Sequence, residues 1–325
     1  MKLVDNYRRT INYLRLSVTD RCNLRCRYCM PAQGVQATEH AQILTYEDLL
    51  FLAQTAANLG VEKIRITGGE PLVRKGIIPF LERLYAIKGV EHLVLTTNGV
   101  LLEEYAQSLK DVGIKCLNVS IDSLEQQRYA QITRGGDLTS WWRGIEAAER
   151  VGLRLKLNVV VMRGINATEI GDFATLALQN PWSVRFIEYM PTAQGPDSSL
   201  QGVATETLFE TLRQSYHLEP LARQAQAGPA REFQLAGGRG TVGFIAAISC
   251  PFCHNCNRIR ISATGKGRSC LFARAETDLK PAIKQRDRAA LSAALVQLVA
   301  QKPQQHNLGE QPQLQTAVAM SAIGG

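Results

Sequence analysis

Apolar, β-branched runs alternate with stretches of helical periodicity along the first 190 residues. Runs that suit strands lie at 13–20 (YLRLSVTD), 63–69 (KIRITGG), 92–99 (HLVLTTNG), 116–122 (CLNVSID), 154–161 (RLKLNVVV) and 183–191 (SVRFIEYMP). Between them the period changes from two to 3.6, which predicts helices at 44–60, 77–88, 103–112, 124–131 with 139–151, and 168–179. The first helix carries its own punctuation: Thr45 as N-cap with Asp48 three residues on, and Gly60 as its stop. Six β/α units imply a parallel sheet, either doubly wound or a partial (β/α)6 barrel. Polar residues gather at the C-terminal ends of the strands: Thr19 and Asp20, Thr67 to Glu70, Thr96 to Asn98, Ser120, Asp122 and Glu188. Both architectures bind ligands at that edge.

After residue 191 the pattern changes, which divides the chain into 1–191 and 192–325. A short helix is predicted at 204–215, and 222–240 is small, polar and loop-like. A cysteine-rich turn leads into RIRISAT (258–264), where Arg258 and Arg260 alternate with Ile259 and Ile261. That is the period of a strand with one basic face. The stretch 263–269 (ATGKGRS) lacks the spacing of a Walker loop and reads as a turn. A last helix is predicted at 287–300, followed by a polar linker at 301–315.

Composition narrows the setting. No apolar run among the 325 residues reaches the roughly 18 needed for a membrane helix. The N-terminal MKLVDNYRRT has no apolar core of a secretory signal. The expectation is a cytoplasmic protein without membrane contact, whose eight cysteines stay reduced. A net charge of +8 and a pI near 9.1 point to an anionic partner, either nucleic acid or a nucleoside triphosphate.

The cysteines form two groups. Cys22, Cys26 and Cys29 lie in VTDRCNLRCRYCMP with C-x3-C-x2-C spacing. This trio is self-contained, so a cubane wrapped by it keeps one iron open for chemistry, whereas zinc sites usually add a second ligand pair later. Cys250, Cys253, Cys256 and Cys270 form the second group, and on spacing alone four thiolates can make a zinc site. Cys116, at a strand start, is expected to be a buried core thiol.

CxxxCxxC with Tyr28 before the third cysteine, followed one unit later by ITGGEP (66–71), resembles the radical S-adenosylmethionine (radical SAM) superfamily. PFCHNCNRIR with CLF further on resembles the C-terminal signature of the GTP 3′,8-cyclase family of molybdenum cofactor biosynthesis. TTNG, NVSIDSL, LKLNVVVMRGIN, RFIEYMP and the terminal IGG extend that resemblance over nearly the whole chain. It implies a partial (β/α)6 barrel of the TIM type, with a C-terminal cluster-binding region closing the barrel mouth. It implies two 4Fe-4S clusters, one on Cys22, Cys26 and Cys29 and one on Cys253, Cys256 and Cys270, with Cys250 outside both. SAM would chelate the open iron of the first cluster, with contacts from Tyr28, Gly69, Glu70, Ser120 and Met190. GTP would be held by Arg15, Arg65, Thr96, Lys156, Arg258, Ile259 and Arg260, its guanine on the open iron of the second cluster. Gly324 and Gly325 would reach into the active site as a catalytic tail. The implied lyase reaction removes the ribose 3′ hydrogen of GTP, joins C3′ to guanine C8 and yields a cyclic dihydroguanosine triphosphate. The implied partners are GTP, an electron donor and a downstream enzyme that forms cyclic pyranopterin, and a homodimer is allowed. Two other readings compete. One is a peptide-modifying radical SAM enzyme with an auxiliary cluster, which usually carries more C-terminal cysteines. The other is a zinc protein that binds nucleic acid.

Overall fold

The computed structural model describes residues 2–34, 38–190, 199–222, 228–273 and 275–306. Six strands and the helices between them follow the predicted series: β1 (Tyr13–Ser17), α1 (Tyr46–Asn58), β2 (Lys63–Thr67), α2 (Ile77–Tyr85), β3 (His92–Thr97), α3 (Leu102–Asp111), β4 (Cys116–Ser120), α4 (Gln126–Thr133), α5 (Leu138–Arg150), β5 (Arg154–Val161), α6 (Ile170–Gln179) and β6 (Ser183–Glu188). Thr45 and Asp48 close a reciprocal capping box on α1, and Gly60 takes the left-handed conformation just beyond its end (φ +88°).

The six strands pair in parallel and in sequence order. The C-terminal region continues the same sheet at both edges. It adds α7 (Thr205–Arg213), β7 (Leu218–Pro220), β8 (Arg231–Leu235), β9 (Thr241–Ile245), β10 (Arg258–Ile261), β11 (Lys266–Arg268), β12 (Thr277–Asp278), α8 (Lys280–Lys284) and α9 (Arg288–Ala300). The order across the sheet is β12-β11-β10-β1-β2-β3-β4-β5-β6-β9-β8-β7, with β10 parallel to β1 and β9 parallel to β6. The two flanking β-ribbons are antiparallel. The result is a partial barrel whose six β/α units are flanked by two further parallel strands.

Three expectations are corrected here. The stretch 222–240 contains a strand, β8, because Phe233 and Leu235 alternate inward at a two-residue period while Glu232 and Gln234 face away. The turn at 263–269 is a hairpin between β10 and β11, with Gly265 at φ +86°. Cys116 is half-buried on the inner face of β4, where it shares parity with Asn118 and Ser120 rather than with the core residues Leu117 and Val119.

Strand alternation separates two environments. On β5, Leu155, Leu157, Val159 and Val161 pack outward into the main core beneath the helices, while Lys156, Asn158 and Val160 face the barrel interior. The inner face is strongly polar: Arg15 on β1, Arg65 on β2, Asn118 on β4, Asn158 on β5, Arg185 on β6 and Arg260 on β10 all line one cavity. No helix of the described residues is long and apolar enough to cross a membrane.

Candidate active site

The loop after β1 carries Cys22, Cys26 and Cys29 at the C-terminal end of the strands. Two backbone bonds fasten it to the end of α4, from Arg25 N–H to Thr133 O (3.0 Å) and from Arg27 N–H to Ile132 O (2.9 Å). Its tyrosine is anchored as well: Tyr28 OH donates to Asp122 Oδ2 at 2.8 Å, and the other Asp122 oxygen accepts from Val160 N–H at 2.8 Å. The three thiols are half-buried and line the cavity. Burial pushes the Cys22 thiol up to about 11, against a Leu24 N–H and the Asn98 amide that donate to its sulfur. Burial raises Cys26 as well, helped by Asp122 and the neighbouring thiols.

Gly69 explains the glycine pair after β2. A Cβ there would lie 2.2 Å from Arg21 O, because Gly69 N–H donates to Thr19 O and Glu70 N–H to Arg21 O, each at 2.8 Å. The close approach that needs glycine is therefore to the cysteine loop itself.

The second trio lies at the other end of the strands. Cys253 and Cys256 bracket a 3-10 turn that feeds β10, and Cys270 follows β11. Tyr13, at the start of β1, pairs with Arg258, at the start of β10. Since the two strands are parallel, Cys256 precedes the pair at its N-terminal end and Cys22 follows it at its C-terminal end. The five residues of β1 span roughly 16 Å. The C-terminal region thus closes the barrel end opposite the first trio. Burial raises Cys256, but the charges of Arg258 and Lys302 outweigh it and bring the thiol down to about 6. Cys250 is exposed and does not line the cavity.

Between the trios the interior is cationic. Arg15 and Arg260 are each only 8 % exposed. Burial, and then the charges of Arg260 and Arg65, pull Arg15 well below the ordinary guanidinium value. Burial and Arg258 bring Arg260 down to about 10. Arg185 pairs with Glu232 at 2.5 Å. Asn118, 1 % exposed, lines the cavity with neither its amide nitrogen nor its oxygen bonded within the described residues.

Comparison with known proteins decides the family. Residues 16–177 match the Radical SAM superfamily, and residues 182–308 match Molybdenum Cofactor Synthesis C. The GTP 3′,8-cyclase of Geobacter sulfurreducens is 48% identical over 100% of both chains, and that of Moorella thermoacetica 47% identical over 99% of both. The chain belongs to the GTP 3′,8-cyclase family. Among solved structures, Streptococcus suis SuiB bound to S-adenosylmethionine superposes with a TM-score of 0.61 over 88% of this chain and 68% of its own, at 13% identity, which speaks for the fold alone.

The cofactors of a GTP 3′,8-cyclase are SAM and two 4Fe-4S clusters. The donor sets fit them. All eight cysteines are free thiols, and six of them face one cavity as two trios. Among the described residues no three His, Cys, Asp or Glu side chains converge as ligands of a single ion. Thiols as buried as Cys22 and Cys26 become thiolates when a metal core displaces the proton.

Of the residues expected to touch SAM, Tyr28, Gly69, Ser120 and Met190 line the cavity. Glu70 does not. Its carboxylate is turned onto the protein, accepting from Leu72 N–H (3.1 Å), Thr97 OH (2.8 Å) and Asn98 N–H (2.6 Å), so it braces the ends of β2 and β3. Of those expected to touch GTP, Arg15, Arg65, Thr96, Arg258 and Arg260 line the cavity. Lys156 faces inward beside Asn118 but is not among the lining residues. The Ile259 side chain is wholly buried on the opposite, core side of β10, which leaves only its backbone for a ligand. Gly324 and Gly325 lie outside the described residues.

Sequence reasoning missed Asn118, Asn158, Arg185 and Lys302. Asn118 shares strand parity with Ser120 and Asn158 with Lys156, and that parity is the signal that would have found them; Arg185 shares parity with no residue found on its strand.

Proposed function

We propose that this chain converts GTP to (8S)-3′,8-cyclo-7,8-dihydroguanosine 5′-triphosphate, the first step of molybdenum cofactor biosynthesis. The observation that carries the reading is a cation-lined barrel interior running between two thiol trios at opposite strand ends. Bound together, SAM and the first cluster supply a 5′-deoxyadenosyl radical able to take a ribose hydrogen. The residues of the chain do the rest by position. Arg15, Arg65, Arg258 and Arg260 hold the triphosphate, with Arg185 and Lys156 beside them. Charged hydrogen bonds contribute about 1.5–3 kcal/mol each, so three or four supply the roughly 8 kcal/mol of a micromolar complex. Thr96 and Asn118 offer uncharged contacts at the middle of the cavity. Tyr28, Gly69, Ser120 and Met190 keep SAM at the first trio, and Cys253, Cys256 and Cys270 keep the second cluster at the far end, where the guanine binds.

The cations favour a small anionic substrate over a nucleic-acid duplex, because Arg15, Arg65, Arg258 and Arg260 line the barrel interior. The same reading carries an electron donor, a downstream cyclic pyranopterin-forming enzyme, a cytoplasmic location and a homodimer as its setting. The test is anaerobic reconstitution followed by incubation with GTP, SAM and dithionite. The cyclic product and 5′-deoxyadenosine should form together, and protein that holds both clusters yet leaves GTP unchanged refutes the assignment.

A further inference from the structure

Lys302 follows α9 in a stretch whose composition reads as a linker, yet it is 3 % exposed and lines the cavity. Its ammonium donates to Arg258 O at 2.8 Å and to Ser269 O at 2.5 Å. Arg258 lies two residues after Cys256, and Ser269 immediately precedes Cys270. The ammonium is also close enough to Cys256 and Cys270 for negative charge on either sulfur to stabilise it. The segment around Lys302 is docked onto the same turns. The Arg9 guanidinium donates to Cys253 O (2.6 Å), Pro303 O (2.6 Å) and Gln304 O (3.0 Å), and the His306 ring bonds Ala247 O at 2.9 Å. Residues 302–306 therefore form a strap across the second trio.

A buried ammonium is costly unless negative charge lies close by. The hydrogen-bond partners of Lys302 among the described residues are two neutral carbonyls, and the thiolate trio supplies the charge. Arg258 also reaches Cys256, at 3.8 Å. Two of the three ammonium protons of Lys302 are committed to backbone, so its charge is fixed in place. We propose that Lys302 is a positioning residue of the second cluster, whose fixed ammonium raises that cluster's reduction potential. Hydrogen bonds and charge at the sulfurs are the protein's main controls on such a potential. An added electron increases the negative charge beside the ammonium, so the cation favours the reduced state. The inference rests on the two-cluster reading but not on the choice of substrate.

The test uses full-length protein in which Cys22, Cys26 and Cys29 are replaced by Ala, so that only the second cluster is present. It is reconstituted anaerobically without nucleotide and titrated with dithionite, followed by electron paramagnetic resonance. Lys302→Met should keep its iron and sulfide content while the oxidised-to-reduced ratio at a fixed ambient potential rises at least tenfold, which is 59 mV for a one-electron couple. Lys302→Arg, which keeps the charge, should stay within about threefold of the parent. Arg9→Met loosens the same strap without touching the sulfur and should also stay within about threefold. An unchanged potential in Lys302→Met overturns the proposal, as does an equal shift in Arg9→Met. If Lys302→Met fails to hold the cluster, retention by Lys302→Arg supports the role of the charge. Loss in both assigns Lys302 to backbone fastening and overturns the proposal. Failure of GTP turnover leaves these outcomes untouched, since no nucleotide is present.

Discussion

Arg260→Met should have two effects of opposite sign. Arg260 is 8 % exposed, and burial and Arg258 bring it from the ordinary guanidinium value down to about 10. Its guanidinium stays charged at neutral pH, so the shift measures the cost of holding that charge in the fold. At 1.36 kcal/mol per pKa unit the cost is on the order of 3 kcal/mol. Methionine relieves it and gives back part of the gain through lost packing, leaving the nucleotide-free protein more stable by about 1–2 kcal/mol. Unfolding entropy near 2.1 cal/mol/K per residue turns this into a rise in Tm of roughly 1.5–3 °C for a chain of this length.

GTP binding moves the other way. Loss of one charged phosphate contact costs about 1.5–3 kcal/mol, which weakens GTP binding roughly 10- to 150-fold. The GTP-induced rise in Tm should shrink by a matching amount. The assay is anaerobic calorimetry of reconstituted protein with and without GTP, beside an equilibrium titration. A variant that is less stable alone but keeps its full GTP-induced shift refutes the reasoning, because Arg260 would then serve the fold and not the anion.

Three further outcomes follow from particular residues. Cys250→Ala should retain all the iron and sulfide of the parent while Cys270→Ala loses one cluster's worth, since Cys250 is exposed and outside the cavity that Cys270 lines; equal losses would place Cys250 among the ligands. Asn118→Leu should stabilise the protein by about 1–3 kcal/mol by removing a buried amide that has no partner among the described residues, and weaken GTP or SAM about 2- to 13-fold per lost bond; a destabilised variant with parental affinities would give the amide to the fold. Burial pushes the Glu70 carboxyl up to about 7 against three donors, so the folded chain holds a proton that the unfolded chain releases near 4.5. Its contribution to stability should therefore fall as pH rises from about 4.5 to 7 and stay level above, a slope that Glu70→Gln should abolish; parallel stability profiles would disprove it.

The cysteine trios were legible because ligation of one inorganic core by neighbouring residues demands short, fixed spacings. Arg258 and Arg260 were legible because strand parity is written in the alternation with Ile259 and Ile261. Asn118 was not, since an asparagine in a strand looks the same whether its amide is bonded or waiting for a ligand. β8 was hidden by its glycine- and alanine-rich surroundings, and only its pairing with β7 and β9 makes it a strand. Lys302 was unreadable for a different reason. Its partners are backbone carbonyls 44 and 33 residues away, and backbone carries no sequence signal. Glu70 was read as a ligand contact from a motif whose glycines serve the packing of two loops.

The register of β10 against β1 ties these observations together. Arg258 and Arg260 point into the barrel only because Ile259 and Ile261, both fully buried, point into the helical core. A slip of one residue would reverse every side chain, exposing the isoleucines to the cavity and burying two guanidinium groups among helices. Burying two charges in an apolar layer costs far more than the cation–cation repulsion that the native register tolerates. The same pairing fixes the level of Cys256 relative to Cys22, and so the distance between the two trios. Ile259 thus belongs to the site, though not through its side chain. By filling the core it holds in place the strand that presents the cations, and it keeps the second trio at the far end of the barrel from the first.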